Sequence, residues 1–256
     1  QQTVTHLYAL GQIAGADKIL AASGAGIYDV TTGGPPSLVH TVPTAAGFSA
    51  TTLENFAFYC NGINPGFMTQ GSAATTYQTG ITQVTNVQFA GFNPVVAINP
   101  GDDATAGTHR ITFRYRSSIT GARSNPNIIS DNIQSVSIVV PVIGPPTNAF
   151  YRINVLLAMV SLDPQVDFID YFIQEAGAIG SNAPYYYLGS SPNAVGTYNF
   201  HTGISDNELI IQETLDIDDD LPPTSMRIIE TWRGRLLGIV DDYNIAFSKQ
   251  RTDANS

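Results

Sequence analysis

The chain never sustains a helical period. Glycine (23 residues) and proline (15) interrupt it every few positions, so no window of twelve or more residues keeps a 3.6-residue apolar repeat. What remains is a succession of short apolar runs set off by turn residues. Among them are Lys18–Ala22, Gly26–Val30, Ala57–Cys60, His109–Ser117, Ser135–Val142, Phe168–Gln174, Tyr185–Leu188, Glu208–Glu213, Arg227–Trp232 and Arg235–Val240. Some alternate cleanly: Ile111, Phe113 and Tyr115 share one strand face, and Arg110, Arg114 and Arg116 share the other. Pairs such as Asn61-Gly62, Thr120-Gly121 and Pro35-Pro36 stand between the runs. Many short strands at this spacing predict an all-β fold: a sandwich, a barrel or a propeller.

Texture divides the chain in three. Residues 1–91 are rich in Gly, Thr and Ala and read as very short strands with tight turns, in the manner of a propeller. Residues 92–220 carry longer strands and bulkier aromatics, in the manner of a sandwich. After Pro222-Pro223, residues 221–256 return to short strands. The expected layout is a sandwich inserted between two propeller-like pieces.

Composition narrows the function classes. A 43% hydrophobic fraction over 256 residues excludes disorder and supplies a core without help from metals or disulfides. The single cysteine, Cys60, leaves no internal disulfide and no Cys-rich zinc site. Net charge is −10, and only Lys18 and Lys249 accompany nine arginines. No basic stripe is present to neutralise a run of phosphates, so tight nucleic-acid binding is not expected. The longest nearly apolar stretch, Ile153–Leu162, is half of what a bilayer needs, and no membrane segment is expected. The opening QQTVTHLYALG has neither a basic nor an apolar leader region, so no signal peptide is expected.

The chemistry-bearing residues read mostly as structure. Ser23-Gly24-Ala25-Gly26 has half of a phosphate-loop pattern but opens no helix, so it reads as a turn. His6, His40, His109 and His201 have no HxH or HxxxH partner, no G-x-S-x-G elbow is present, and Cys60 reads as a buried thiol. No metal or catalytic residue is therefore assigned. Asp216, Asp218 and Asp220 alternate but lack the glycine and distal glutamate of a calcium loop, and read as a solvated linker. Asp163, Asp167 and Asp170 flank one strand, with Asp167 and Asp170 expected on opposite faces rather than paired as a glycosidase requires. Tyr185, Tyr186 and Tyr187, with Phe168, Tyr171, Phe172 and Tyr198, read as sandwich core or as a flat platform for a glycan. Trp232-Arg233-Gly234-Arg235 is the one basic spot with an aromatic. As a strand it would place Arg233 and Arg235 on one face, a candidate subunit interface.

Several segments, in order, resemble one family. KILAASGAGIYDVTTGGPPSLVHTV (18–42) and FSATTLENFAFYCNGINPGFMTQGSA (48–73) resemble propeller strand sets of tailed-phage tail nozzle proteins at the head–tail junction. ITFRYRSSITGARSNPNIIS (111–130) resembles the family's following hairpin. VSLDPQVDFIDYFIQEAG (160–177) with YYYLGS (185–190) resembles its fibronectin-III-like (immunoglobulin-type) sandwich, and RIIETWRGRLLGIVDDYNIAFSKQ (227–250) resembles the strand pair that restarts the propeller. Tyr171-Phe172 stands where the family usually has Tyr-Arg, and Asn127 where a Ser is common. The resemblance implies a non-enzymatic virion protein of the tail or head–tail connector. It would form a ring of copies of itself, bound to portal, adaptor or tail components, with genomic DNA passing through without tight binding. The alternative is a capsid-decorating or fibre module using the tyrosine-rich sandwich face to hold a surface glycan. No cofactor is implied.

Overall fold

A computed structural model describes residues 3–10, 17–41, 48–53, 56–63, 67–70, 76–85, 89–97, 104–129, 132–142, 150–157, 160–178, 183–200, 205–219, 221–223, 225–240 and 244–248. His201 and Asp220, both raised above, lie outside the described residues. The protein is all-β: antiparallel sheets account for its architecture, with one four-residue helix. It divides into two compact units. Gln1–Thr79 and Leu221–Ser256 make the first, and Gly80–Asp220 makes the second.

The first unit opens with two four-stranded meanders. Strands β1 (Val4–Leu10), β2 (Lys18–Ser23), β3 (Gly26–Asp29) and β4 (Ser37–Thr41) form one sheet in chain order. Strands β5 (Ser49–Leu53), β6 (Phe56–Cys60), β7 (Phe67–Gln70) and β8 (Thr76–Gln78) form the next. Ser23 pairs with Gly26, so Gly24-Ala25 is a two-residue hairpin turn, with Gly24 at φ 57°.

The second unit holds β9 (Phe89–Ala97), β10 (Gly107–Arg116), β11 (Ile128–Ile129), β12 (Asn132–Ile133), β13 (Val136–Val140), β14 (Phe150–Leu157), β15 (Phe168–Ile173), β16 (Tyr186–Pro192), β17 (Gly196–Phe200) and the helix α1 (Asp206–Leu209). Sheet β13-β10-β15-β16 packs on sheet β17-β14-β9, with β11-β12 as a small hairpin beside them. The chain switches sheets between β9 and β10, β13 and β14, β14 and β15, and β16 and β17. The result is a seven-strand sandwich rather than two separate sheets. Its core follows the alternation of β10. Ile111 and Phe113 point inward and meet Tyr171, Ile173, Ile153 and Val155, all fully buried. The run at residues 208–213, expected as a strand, begins inside α1 instead. Ser205-Asp206-Asn207-Glu208 supplies the Ser-x-x-Glu start pattern and an acidic first turn, and Leu209 plugs the core.

The last strands return to the first unit: β18 (Ile228–Trp232), β19 (Arg235–Ile239) and β20 (Ile245–Phe247) form a third meander. The three sheets stack in series, and β6 explains how. All five residues of Phe-Ala-Phe-Tyr-Cys are buried, because each face of the strand has its own cover. Ala57 and Tyr59 meet Leu20 and Ile27 of the first sheet. Phe56, Phe58 and Cys60 meet Met226 and Ile229 of the third. Hydroxyl bonds join β5 to β18: Ser49 Oγ accepts the Ile229 N–H (3.0 Å), Thr51 and Thr231 share a hydroxyl bond (2.7 Å), and Thr231 Oγ1 donates to the Thr52 carbonyl (2.7 Å). The described strands do not close a ring of sheets.

Candidate functional site

The basic spot at 232–235 sits on a hairpin tip. Trp232 pairs with Arg235, so Arg233-Gly234 is a two-residue turn, and both residues have positive φ (49° and 72°). This is the turn that matches strand twist, and it normally carries Asn-Gly or Asp-Gly. Arg233 is the one described non-glycine residue in the left-handed region. The expectation that Arg233 and Arg235 share a strand face is therefore corrected. The tight turn takes Arg233 out of the strand and lays its guanidinium over the Trp232 ring, 4.8 Å from the centroid. Trp232 and Arg235 remain cross-strand neighbours on one face, and Trp232 is 53% exposed.

The three tyrosines do not form one platform. Tyr185 is buried just before β16, and its carbonyl accepts the Leu215 N–H (2.8 Å). Tyr186 turns inward and packs on the sandwich core. Tyr187 turns outward, meets Phe172 edge-on (5.7 Å, 69°) and shares a hydroxyl bond with Ser190 (2.5 Å). Strand alternation scatters what the sequence writes side by side. Tyr171 lies in the core, hydrogen-bonded to Ser191 (2.9 Å), and burial raises its hydroxyl above the usual tyrosine range.

Tyr187 belongs instead to a charged cluster on the outer face of sheet β13-β10-β15-β16. Arg114, only 1% exposed, stacks on Phe172 (4.8 Å) and donates from Nη2 to Glu213 (3.1 Å). Its Nε lies 3.7 Å from Asp170 and its Nη1 3.9 Å from Asp219. Arg116 Nε donates to both Asp170 oxygens (3.0 and 2.9 Å) while its guanidinium covers Phe168 (4.7 Å), and Ser190 Oγ donates to Asp170 (2.8 Å). Arg123 adds a second contact to Glu213 (2.8 Å). Three arginines thus face three carboxylates, which is charge-balanced packing. Residues 213–219 run over the cluster, tied by the Tyr187 N–H to Glu213 carbonyl bond, the Tyr186–Thr214 bridge, and the Asp219 N–H to Asn125 Oδ1 bond (2.9 Å). The acidic run is accordingly only partly a solvated linker. Asp216 and Asp218 are exposed, whereas Asp219 folds back on Arg114.

Asp163, Asp167 and Asp170, and the imidazole of His109, are held structurally. Asp163 accepts the Gln165 N–H (3.1 Å) and closes a turn. Asp167 accepts from the backbone and hydroxyl of Ser118. Asp170 is locked by Arg116. His109 is buried with one ring nitrogen on the Gln174 carbonyl (2.9 Å) and the other on the Thr105 carbonyl (2.7 Å), tying α1's neighbourhood to β10. Burial lowers the His40 pKa, and it pushes the Cys60 thiol up to about 12. Among the described residues, no three His, Cys, Asp or Glu side chains gather as a metal site, and no helix is long and apolar enough to cross a membrane.

No protein-family model matches this chain, and no curated protein matches it.

Proposed function

We propose that this chain is a non-enzymatic structural protein of a tailed-phage particle, assembled with copies of itself into a ring around the DNA channel at the head–tail junction. One observation carries the reading. The segments that resemble phage nozzle strand sets, 18–42, 48–73 and 227–250, fall on three consecutive small antiparallel sheets stacked face to face. The hairpin-like and sandwich-like segments fall on β10 and on β15–β16 of a seven-strand sandwich. Charge agrees with the role: at −10 overall, the protein repels the DNA backbone, so a genome would pass without adhering. The polar network around Arg114 suits a rigid brace rather than a substrate pocket, since its carboxylates are engaged by arginines. Portal, adaptor or tail proteins would be the neighbours.

Cryo-electron microscopy of the native particle tests this. A ring of this chain on the portal axis is the expected result. Density spread over capsid faces, or projecting as a spike, would replace the channel role with that of a decorating or fibre module. Absence from the particle would end the virion reading altogether.

A further inference from the structure

The first unit is made of two pieces of chain, with the sandwich spliced between them. Its third sheet is held on its second by contacts that join the two pieces. Met226 and Ile229 cover Phe56, Phe58 and Cys60, the Gly62 N–H donates to the Met226 carbonyl (2.8 Å), and hydroxyl bonds link β5 to β18. Whatever fixes the two ends of the insertion therefore bears on that joint.

Both ends are fixed by one residue. Asn125, 5% exposed, accepts the Val84 N–H with its carbonyl (3.3 Å) and the Asp219 N–H with its side-chain Oδ1 (2.9 Å). Val84 lies on the connector that enters the sandwich, and Asp219 on the one that leaves it for Leu221. Asn125 is anchored in turn to the end of β10. The Ser124 N–H donates to the Tyr115 carbonyl (2.9 Å), and Ser124 Oγ accepts the Tyr115 N–H (2.9 Å) while donating to the Asn125 carbonyl (3.0 Å). The entering connector is tied twice more, by Gln165 Nε2 to the Gly80 carbonyl (2.9 Å) and by Gln83 Nε2 to the Ile128 carbonyl (3.3 Å). On both sides the first unit resumes within two residues of these ties.

We propose that Asn125 is a clasp: by holding both connectors on the folded sandwich, it closes the long insertion into a short link and so keeps the third sheet docked on the second. About 140 residues run from Gly80 to Asp219. Through the clasp the path is Gly80–Val84, Asn125 and Asp219, about seven residues. Local concentration falls roughly as the 3/2 power of link length, so shortening it about twentyfold concentrates the third sheet at the second roughly ninetyfold. Asn125 is a positioning residue, acting on β18–β20 through the connectors rather than by packing on them.

Cys60 faces the third sheet, so its labelling by a thiol reagent reads the opening of that joint. The test follows this labelling on the full chain in urea, beside hydrogen exchange of the β10 and β15 amides, which reads the sandwich. Where half of the sandwich is open, Cys60 is expected to label about 45-fold faster than the folded baseline extrapolates. Phe113→Ala, a change in the sandwich core, is expected to move both transitions to lower urea together. Labelling that ignores Phe113→Ala would overturn the coupling. Twenty Gly/Ser residues inserted between Leu221 and Pro222 lengthen the link and leave the packed residues as they are. They are expected to speed labelling about eightfold while the sandwich stays folded. No change would mean that the units are coupled by packing and not by the link, which also overturns the proposal. Asn125→Ala frees the leaving connector back to Leu215, whose N–H is held by the Tyr185 carbonyl (2.8 Å), and is expected to speed labelling about twofold. Asn125→Asp, which keeps the acceptor, is expected to restore the native rate. Equal rates in all three chains would overturn the role of Asn125.

Discussion

Replacing Asp170 by asparagine keeps a side chain's shape while deleting the charge that two arginines share. The pair most at risk is Asp170 with Arg114, at 3.7 Å, where the carboxylate is 3% exposed and the guanidinium 1%. At an effective dielectric near 20, Coulomb's law gives about 4 to 5 kcal/mol at that distance. Removing one partner of a buried pair commonly costs about 3–5 kcal/mol, because the other charge stays buried. Distance alone would rank Glu213 higher, since it approaches the same guanidinium to 3.1 Å. Yet Glu213 is 48% exposed, water screens it, and Glu213→Gln should cost no more than about 1 kcal/mol. The two variants thus separate burial from proximity by roughly 3 kcal/mol. Hydrogen exchange of the β10 and β15 amides, read by mass spectrometry, is the assay. Asp170→Asn should speed exchange by about a hundredfold to a few thousandfold relative to the native chain, and Glu213→Gln by less than about tenfold. Equal effects, or a larger effect for Glu213→Gln, would refute the argument that burial sets the strength of this cluster.

Cys60 should resist a thiol reagent in the native protein and react fully in denaturant, because burial keeps its thiol protonated; rapid native labelling would show that β6 is not enclosed on both faces. Gly238→Ala should destabilise the first unit by about 1–3 kcal/mol in urea, since Met226 lies where the new Cβ would stand, and Met226→Ala in the same chain should recover part of that loss. His40 has a folded pKa below its ordinary value, so the folded state resists taking up its proton. Stability at this site is complete above about pH 6.5 and falls as pH drops through the lowered value. Urea midpoints of the native chain should therefore decline between about pH 7 and pH 5 more steeply than those of His40→Gln; parallel slopes would contradict the assignment.

How much of this was legible in the sequence depended on reach. Strand positions and core faces came from local alternation: Ile111 and Phe113 do point inward, and Phe-Ala-Phe-Tyr-Cys is buried throughout because both kinds of position are apolar. The burial of Arg114 was not legible. It sits on the face that alternation marks as polar, and what covers it is Glu213, 99 residues away, together with Asp219. The tyrosine triplet misled for the same reason in reverse, since neighbours in sequence are opposites on a strand. The hairpin at Arg233-Gly234 was hidden because arginine replaces the usual Asn or Asp. The short helix was announced by Ser205-Asp206-Asn207-Glu208 and overlooked beneath the apolar run that follows. The texture boundary expected at residue 91 falls near residue 80, because Val84, in the propeller-like stretch, packs in the sandwich core.

The hydroxyl bonds between β5 and β18 span 180 residues of chain. On a ribosome adding about 5–20 residues per second, the third sheet emerges roughly 10–35 s after the second. Throughout that interval the side of β6 bearing Phe56 and Phe58 lacks its third-sheet cover, while the sandwich encoded in between gains its last strand, β17, before the third sheet is made and can fold first. Synthesis thus imposes an order opposite to that of the sequence: the inserted unit matures first, and the unit containing the first residues finishes last. The exposed nascent sheet is the point at which a holding chaperone, or slower translation, would have the greatest effect on yield.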